Sequence, residues 1–421
     1  MSSTVVTIVG GVVFFALILV SIGLHEVGHF LPGKLFGVKV LQFFIGFGKT
    51  LWKTQKGETE YGVKLIPLGG YVRLLGMYPP QKEGKDTWLK RVADSAREGE
   101  WQDITEEDVV SGRLFYQHPL WQRMIIMFCG VAMNLLLAFG LFLGVNLAYG
   151  APQTSMQIAS VRACVDLTAP VCTPTPAAAM GLQPGDRVVA FNGKDYSSWA
   201  DLTAAVRANE GGDVQLTVLR DGNWLDLPQV PGVVATVADP DHEGQTIRAG
   251  YLGVTAGSEM AKVGPVTTVE QMWTMTVQSV KAIVKLPVTA VSVLIDMVTG
   301  TPRDPNNPIS IVGASVIAGD VASMDAPAGA KIATYVQLLG SVNLFVGVMN
   351  LVPLPPFDGG YVAAGIYEAI RRWFAKIGGR PDPGPADTAK LMPVTYVISA
   401  ALIIIGAILI VADIVSPVSI F

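Results

Sequence analysis

Residues 5–29 read VVTIVGGVVFFALILVSIGLHEVGH. The first twenty are almost wholly apolar, and about 20 such residues are what a helix needs to cross the hydrocarbon core of a bilayer. The run leads directly into His25-Glu26-Val27-Gly28-His29. Two histidines four residues apart lie on one face of a helix and can share one ion. Glu26 beside them is placed to take a proton from a water polarised by that ion. An ionisable residue at the centre of a membrane helix costs roughly 2.5–3.5 kcal/mol on insertion scales, and holding a metal is a physical reason to bear that cost. The other reading of residues 5–24, a cleavable signal peptide, lacks the Lys or Arg that such a segment carries at its start.

The rest of the 421 residues fits a membrane setting. Half are hydrophobic, the mean hydropathy is +0.44 and only 15% are charged, against about 25% charged in soluble domains. Apolar runs at 124–149, 335–352 and 394–415 bring the expected spans to about four. A fifth candidate, 277–298, carries Lys281, Lys285 and Asp296 and reads as a helix lying in the interface. A net charge of −4 argues against nucleic acid as a partner. Of the 30 Lys and Arg, 14 fall in 32–123, 11 in 150–333, and the short link between spans three and four holds Arg371, Arg372, Lys376, Arg380 and Lys390. A short basic link belongs in the cytoplasm. Four spans then put both termini and the segment from 150 onward outside. Three cysteines cannot build a disulfide framework or a four-thiolate zinc site. Cys129 falls within span two, as a small buried hydrophobe. Cys164 and Cys172 flank a short loop and are expected to be bonded in an oxidising compartment.

The segment after 150 holds a small soluble domain. MQIASV (156–161) and RVVAFNG (187–193) read as strands, the second closing on an Asn192-Gly193 turn. Ser198-Trp199-Ala200-Asp201 has the form of a capping box, with Asp for the usual Glu, opening a helix through Ala208. Val214, Leu216 and Val218 alternate with polar neighbours up to an Asp221-Gly222 turn. That order, around AAAMGLQPGDRVVAFNG (177–193), resembles a PDZ domain over residues 156–255.

A catalytic zinc site takes three protein ligands and keeps one position open. His118 precedes Pro119 at the mouth of span two, and His242 sits in the polar loop ADPDHEG (238–244), so neither suits as the third ligand. Asp358, in NLVPLPPFDGG (350–360) at the end of span three, suits better. Spans one and three cross in the same direction, and both motifs lie at the downstream ends of their spans. Pro353, Pro355 and Pro356 break that helix and free carbonyls, which a membrane tolerates where the backbone lines a cavity.

HEVGH, FFIGFGKTLW (43–52), YGVKLIPLGGYVRLLGM (61–77), residues 123–134, the PDZ core, PISIVGA (308–314) and NLVPLPPFDGG together resemble the site-2 protease family, in its bacterial branch with a PDZ domain. HEVGH alone is shared with unrelated zincins; its pairing with NLVPLPPFDGG in a separate span is specific. The resemblance implies one zinc ion (Zn2+) per chain on His25, His29 and Asp358, with Glu26 as catalytic base. It implies that Asn350 contacts substrate or the oxyanion and that Asn134 supports the site from span two. It implies a membrane re-entrant β-hairpin, in which Tyr61, Val63 and Leu65 alternate and a second short strand follows Pro67, with Gly69, Gly70 and Tyr71 meeting the substrate. An unwound substrate helix can pair with such a free strand edge.

The activity implied is proteolysis within transmembrane segments of single-pass membrane proteins, such as anti-sigma factors already shortened outside, or remnant signal peptides. The setting implied is the bacterial inner (cytoplasmic) membrane, with the lipid bilayer as a partner and the PDZ domain outside as a size filter. The expected fold class is an α-helical multi-span membrane protein of about four transmembrane helices, with a membrane re-entrant β-hairpin and one extracytoplasmic PDZ-like α+β domain. The segments expected are a first span with HEVGH (1–36), the re-entrant β segment (37–78), a charged cytoplasmic loop (79–119), a second span (120–150), the PDZ domain (151–257), interfacial helices and linker (258–334), a third span with NLVPLPPFDGG (335–370), a cytoplasmic loop (371–393) and a fourth span (394–421). With one PDZ domain where the branch often has two, and a long charged loop over 77–117 outside the family pattern, the chain resembles the actinobacterial members more closely. Three rivals make different demands. A membrane-anchored zincin acting on soluble peptides would carry HEVGH outside the bilayer, a scaffold would show degenerate ligands, and a transporter would show repeated halves.

Overall fold

The computed structural model describes residues 2–80, 87–165, 172–239, 245–301, 303–304 and 307–417; His242 lies outside them. The chain forms two compact units, one of Met1–Leu147 with Gly264–Phe421 and one of Ala148–Val263.

The first unit opens with α1 (Ser3–Leu35), a single helix that carries both the apolar run and HEVGH. Two long strands follow, β1 (Val40–Lys56) and β2 (Thr59–Leu74). β1 therefore takes in FFIGFGKTLW, which the alternation at 61–66 does not announce. Where a second short strand is expected after Pro67, β2 runs on without a break. Both strands bend: Gln42 to Ile45 pair with Arg73, Val72, Tyr71 and Gly70 on one side and with Glu60, Tyr61, Gly62 and Val63 on the other. The 42–45 run is thus an inner segment, and within this sheet the 70–73 run is paired on one side only. Gly69 lies at the bend with φ +117°, a conformation that costs glycine least.

The segment expected as a charged loop contains α2 (Trp88–Trp101), whose N-cap Thr87 accepts from the Lys90 amide, and a single turn at Glu106–Val110. Then come α3 (Leu120–Ala148), α4 (Pro265–Thr299), α5 (Ile311–Ser323), α6 (Ala328–Asn350), α7 (Asp358–Ile377) and α8 (Met392–Val415). Among the described residues, five helices are long and apolar enough to cross a membrane: α1, α3, α4, α6 and Thr388–Val415, which contains α8. This is a multi-pass membrane protein. The additional helix is α4, where the sequence gives an interfacial helix over 277–298; it is one continuous helix of 35 residues. Near its start Thr268 accepts from Asn146 in the last turn of α3, and near its end Val293 packs with Leu409 and Ala412 in the last turns of α8. The third span breaks within 335–370, as Pro353, Pro355 and Pro356 require. α6 stops at Asn350, and α7 starts eight residues later, because three prolines in 353–356 cannot continue a hydrogen-bonded helix.

PISIVGA forms the entry to α5. Ser310 caps it by accepting from the Val312 and Gly313 amides, and its own amide donates to Asp413 (2.6 Å) at the end of α8. Asp413 is buried and paired with buried Arg303. Phe14 and Ile18 of α1 pack with Ala314 and Ala318 of α5 and Leu339 of α6, which fixes the N-terminal half of α1 in the bundle.

The second unit is built on a sheet with strands in the order Val254–Ala261, Ala151–Val161, Arg187–Phe191, Leu216–Arg220 and Asn223–Asp226, beside a separate two-stranded ladder, Val233–Ala238 with Thr246–Tyr251. Asn192 and Asp221 have positive φ in tight hairpins, as their Asn-Gly and Asp-Gly sequences demand. Ile158, Val188, Leu202, Leu216 and Val218 form the core. A helix runs Trp199–Ala208, with Ser198 at the N-cap position. The capping box expected there does not form: the Ser198 side chain makes no capping hydrogen bond. Arg220 grips buried Asp186 through two bonds of 2.7 Å and holds its carboxyl below the usual range, and the Gln183 amide adds a third bond. Cys164 and Cys172 are bonded, with Cα atoms 5.3 Å apart, and Cys129 is free within α3.

Candidate metal centre

HEVGH occupies the penultimate turns of α1, with His25, Glu26 and His29 all buried. Asp358 is the first residue of α7, so the break after α6 delivers its carboxylate rather than a further turn of helix. His25 Nε2 lies 3.4 Å and His29 Nε2 3.2 Å from Asp358 Oδ2, and the two Nε2 atoms are 3.3 Å apart. A tetrahedral zinc with ligands at about 2.0–2.1 Å has ligand–ligand edges of about 3.3–3.4 Å. All three separations match that edge, so the donor set fits zinc in size as well as in chemistry. Among the described residues these three are the group of His, Cys, Asp and Glu whose ligand atoms converge in this way. His118 is elsewhere, its Nδ1 on Gln122.

The ring of His29 is aimed from behind. Its Nδ1 lies 2.9 Å from the Ile126 carbonyl of α3, a bond that requires the proton on Nδ1 and leaves Nε2 free to bind metal. α1 and α3 meet at their backbones here. A Cβ on Gly130 would stand 2.1 Å from His29 Nε2, and one on Gly28 would stand 2.5 Å from the Cys129 carbonyl oxygen. Gly130→Ala is therefore expected to displace His29 and weaken zinc binding by about the 10–100-fold seen when outer partners of metal ligands are altered. Gly140→Ala is the control on the same helix, since a Cβ there meets none of the described residues within 4 Å. Metal titration of the two proteins checks this, and equal zinc affinity would remove Gly130 from the account.

Glu26 faces the hairpin: a Cβ on Gly70 would stand 2.9 Å from its Cγ and 3.3 Å from its Oε1. A cavity of about 350 Å³ opens beside the cluster and brings in every other residue singled out from the sequence, namely Asn350, Asn134, Gly69, Gly70 and Tyr71. It also brings in residues the sequence reading passed over, among them Ser21, Met77, Asn343 and Tyr361. Asn343 donates to Ser21 Oγ (3.1 Å) and the Leu339 carbonyl (2.9 Å). It lies two turns before Asn350, on the same face of an apolar helix, and that spacing of amides was the available signal.

The segment leaving β2 is clamped by α2. Glu100 accepts from the Met77 amide (2.6 Å) and the Tyr78 amide (3.0 Å), and Arg97 donates to the Pro79 carbonyl (2.8 Å) and to Asp387 (2.8 Å). Thr388 donates to the Met77 carbonyl (3.0 Å) from the other side. A charged helix thus fixes the backbone that continues the strand edge into the cavity wall.

The pattern of peptidase family M50 matches residues 13–378, from within α1 to the end of α7. Zinc metalloprotease Rip1 of Mycobacterium tuberculosis (strain ATCC 25618 / H37Rv) is 34% identical, over 98% of this chain and 99% of its own. Zinc metalloprotease Rip1 of Mycolicibacterium smegmatis is also 34% identical, over 98% of each. Metalloprotease MmpA of Caulobacter vibrioides is 28% identical, over 84% of this chain and 85% of its own. Since the match takes in both halves of the converging cluster, HEVGH and Asp358, the chain belongs to peptidase family M50, the site-2 protease family, and is a zinc metalloprotease.

Proposed function

We propose that this protein cuts peptide bonds inside the transmembrane segments of single-pass membrane proteins, with zinc on His25, His29 and Asp358 and with Glu26 as the catalytic base. The observation that carries the reading is a metal-sized triad opening onto a cavity walled by the apolar helices α1, α3 and α6 and by a strand with one unpaired edge.

When bound, zinc supplies Lewis-acid polarisation of the water and of the peptide carbonyl. Glu26 takes the proton of the attacking water and returns it to the leaving nitrogen. The 70–73 edge offers backbone groups to a substrate strand, replacing the hydrogen bonds a helix loses when it unwinds. Asn350 offers amide donors to the same backbone. Gly69 and Gly70 keep that edge free of side chains, and Tyr71 borders it, stacked on Phe44 at 5.7 Å between ring centroids.

In the same proposal the link 371–393 and HEVGH face the cytoplasm of a bacterial inner membrane, and the PDZ-like unit lies outside as a size filter. α4 runs along the outer interface, supported by the packing of both its ends against the final turns of α3 and α8. Anti-sigma factors trimmed outside, or remnant signal peptides, are substrates of the right form.

The test is cleavage of a single-span substrate by purified protein in liposomes, with the cut located by mass spectrometry. A cut inside the apolar segment is expected; cutting confined to soluble peptides would favour the anchored zincin instead. In the same assay Asn350→Leu is expected to keep its zinc and lose about 10²–10³ in kcat, the usual effect of removing one oxyanion donor. Wild-type kcat in that variant would take Asn350 out of the site.

A further inference from the structure

We propose that Asn134 also touches the substrate, its side-chain amide donating to the carbonyl oxygen of the peptide bond being cut. Asn134 is 2% exposed and, among the described residues, its Nδ2 has no hydrogen-bond partner, yet it lines the cavity shared by His25, Glu26 and His29. Buried polar groups are as a rule paired, and an idle buried donor is costly. Two other buried asparagines of the same unit show the contrast. Asn146, three turns further along α3, donates to Thr268 Oγ1 (2.9 Å) and Gln271 Oε1 (3.1 Å). Asn343 donates to Ser21 and Leu339. The donor left idle is the one beside the metal cluster, where a substrate group can supply the missing acceptor.

Its position fits the role. Asn134 follows Gly130 by four residues, so the two share a face of α3, and Gly130 is the point where His29 Nε2 comes closest to that helix. On its other side, Asn134 Cβ is 3.3 Å from where a Cβ on Gly347 would stand, three residues before Asn350 on α6. Asn134 therefore lies between the metal-binding face and the helix that carries Asn350.

The inference rests on the proposed reaction. There, the water oxygen bonds to the carbonyl carbon, Glu26 takes the water's proton, and the carbonyl oxygen gains negative charge. The C–N bond then breaks and the proton passes to the leaving nitrogen. Asn134 exchanges no proton; a fixed neutral N–H beside the oxygen stabilises its charge without reorganisation.

Asn134→Leu and Asn134→Asp both remove the donor while keeping the number and branching of the side-chain heavy atoms. In the full-length zinc-loaded protein, each is expected to lower kcat by about 10²–10³-fold with KM nearly unchanged. One zinc per chain should remain. The Kd for a phosphinic peptide, whose tetrahedral P–O⁻ group stands in for the charged carbonyl, should rise by a similar factor. Wild-type kcat and phosphinic affinity in both variants would overturn the proposal. So would loss of zinc from both, which would make Asn134 a prop for the metal site. Should the leucine variant fail to fold, the aspartate variant decides on the same two readouts. A wild-type protein that cuts soluble peptides but no membrane helix would sink the intramembrane reading, and the Asn134 variants assayed on those peptides would still settle the donor role.

Discussion

Glu26→Gln is expected to leave one zinc per chain and to lower cleavage by about 10²–10⁴-fold, the range that a positioned acid–base group contributes. Glutamine keeps the length and shape of the side chain and its place against Gly70, but its amide cannot hold a proton taken from water. The three converging donor atoms are on other residues, so the cluster of 3.2–3.4 Å contacts has no reason to change. Stability should not fall, because a neutral amide in a buried site avoids the desolvation cost of a carboxylate. Metal analysis, a thermal melt and the liposome assay on one preparation therefore separate chemistry from folding. Cleavage near the wild-type rate would show that another group takes the proton.

The centre was largely legible from the sequence because its logic is local. His25 and His29 meet through helical spacing alone. Asp358 was reachable by counting spans, since α1 and α6 must run the same way for their downstream ends to meet. What stayed hidden depends on distant pairing. β1 carries glycines at 46 and 48 that interrupt any alternation, and its double pairing at 42–45 follows from bends that period-two reasoning cannot see. α2 has six charged residues in fourteen and reads as a solvated loop. Its purpose appears only when Glu100 is found on the Met77 and Tyr78 amides.

Residue type misled in two places. Ser198 has the chemistry of a cap and the right position, yet its hydroxyl does not take the bond. Lys281, Lys285 and Asp296 pointed to an interfacial helix over 277–298 only, whereas α4 starts at Pro265. The apolar and polar positions continue through a proline at N1, which favours a helix start, and through Pro287, which the helix accommodates.

Asp358→Ala is expected to strip zinc from the purified protein, weakening the site by more than the 10–100-fold typical of changes to a ligand's outer partners, since here a ligand itself is removed. The competing account makes Asp358 a helix cap. The N-cap of α7 is Phe357, with no side-chain cap bond, and Asp358 Oδ2 lies within 3.4 Å of both histidine nitrogens. The two accounts part on Asp358→Asn. Asparagine is as good a capping residue as aspartate, so capping predicts full zinc and wild-type stability in that variant. Ligation predicts loss of metal in both variants, because a neutral amide is a poorer donor than a carboxylate for a dication held by two neutral imidazoles. The loss should show as zinc released on dialysis at a chelator concentration that leaves the wild type intact, and cleavage should fall in step with occupancy. Full zinc in Asp358→Asn would place the third ligand elsewhere and reopen the role of α7.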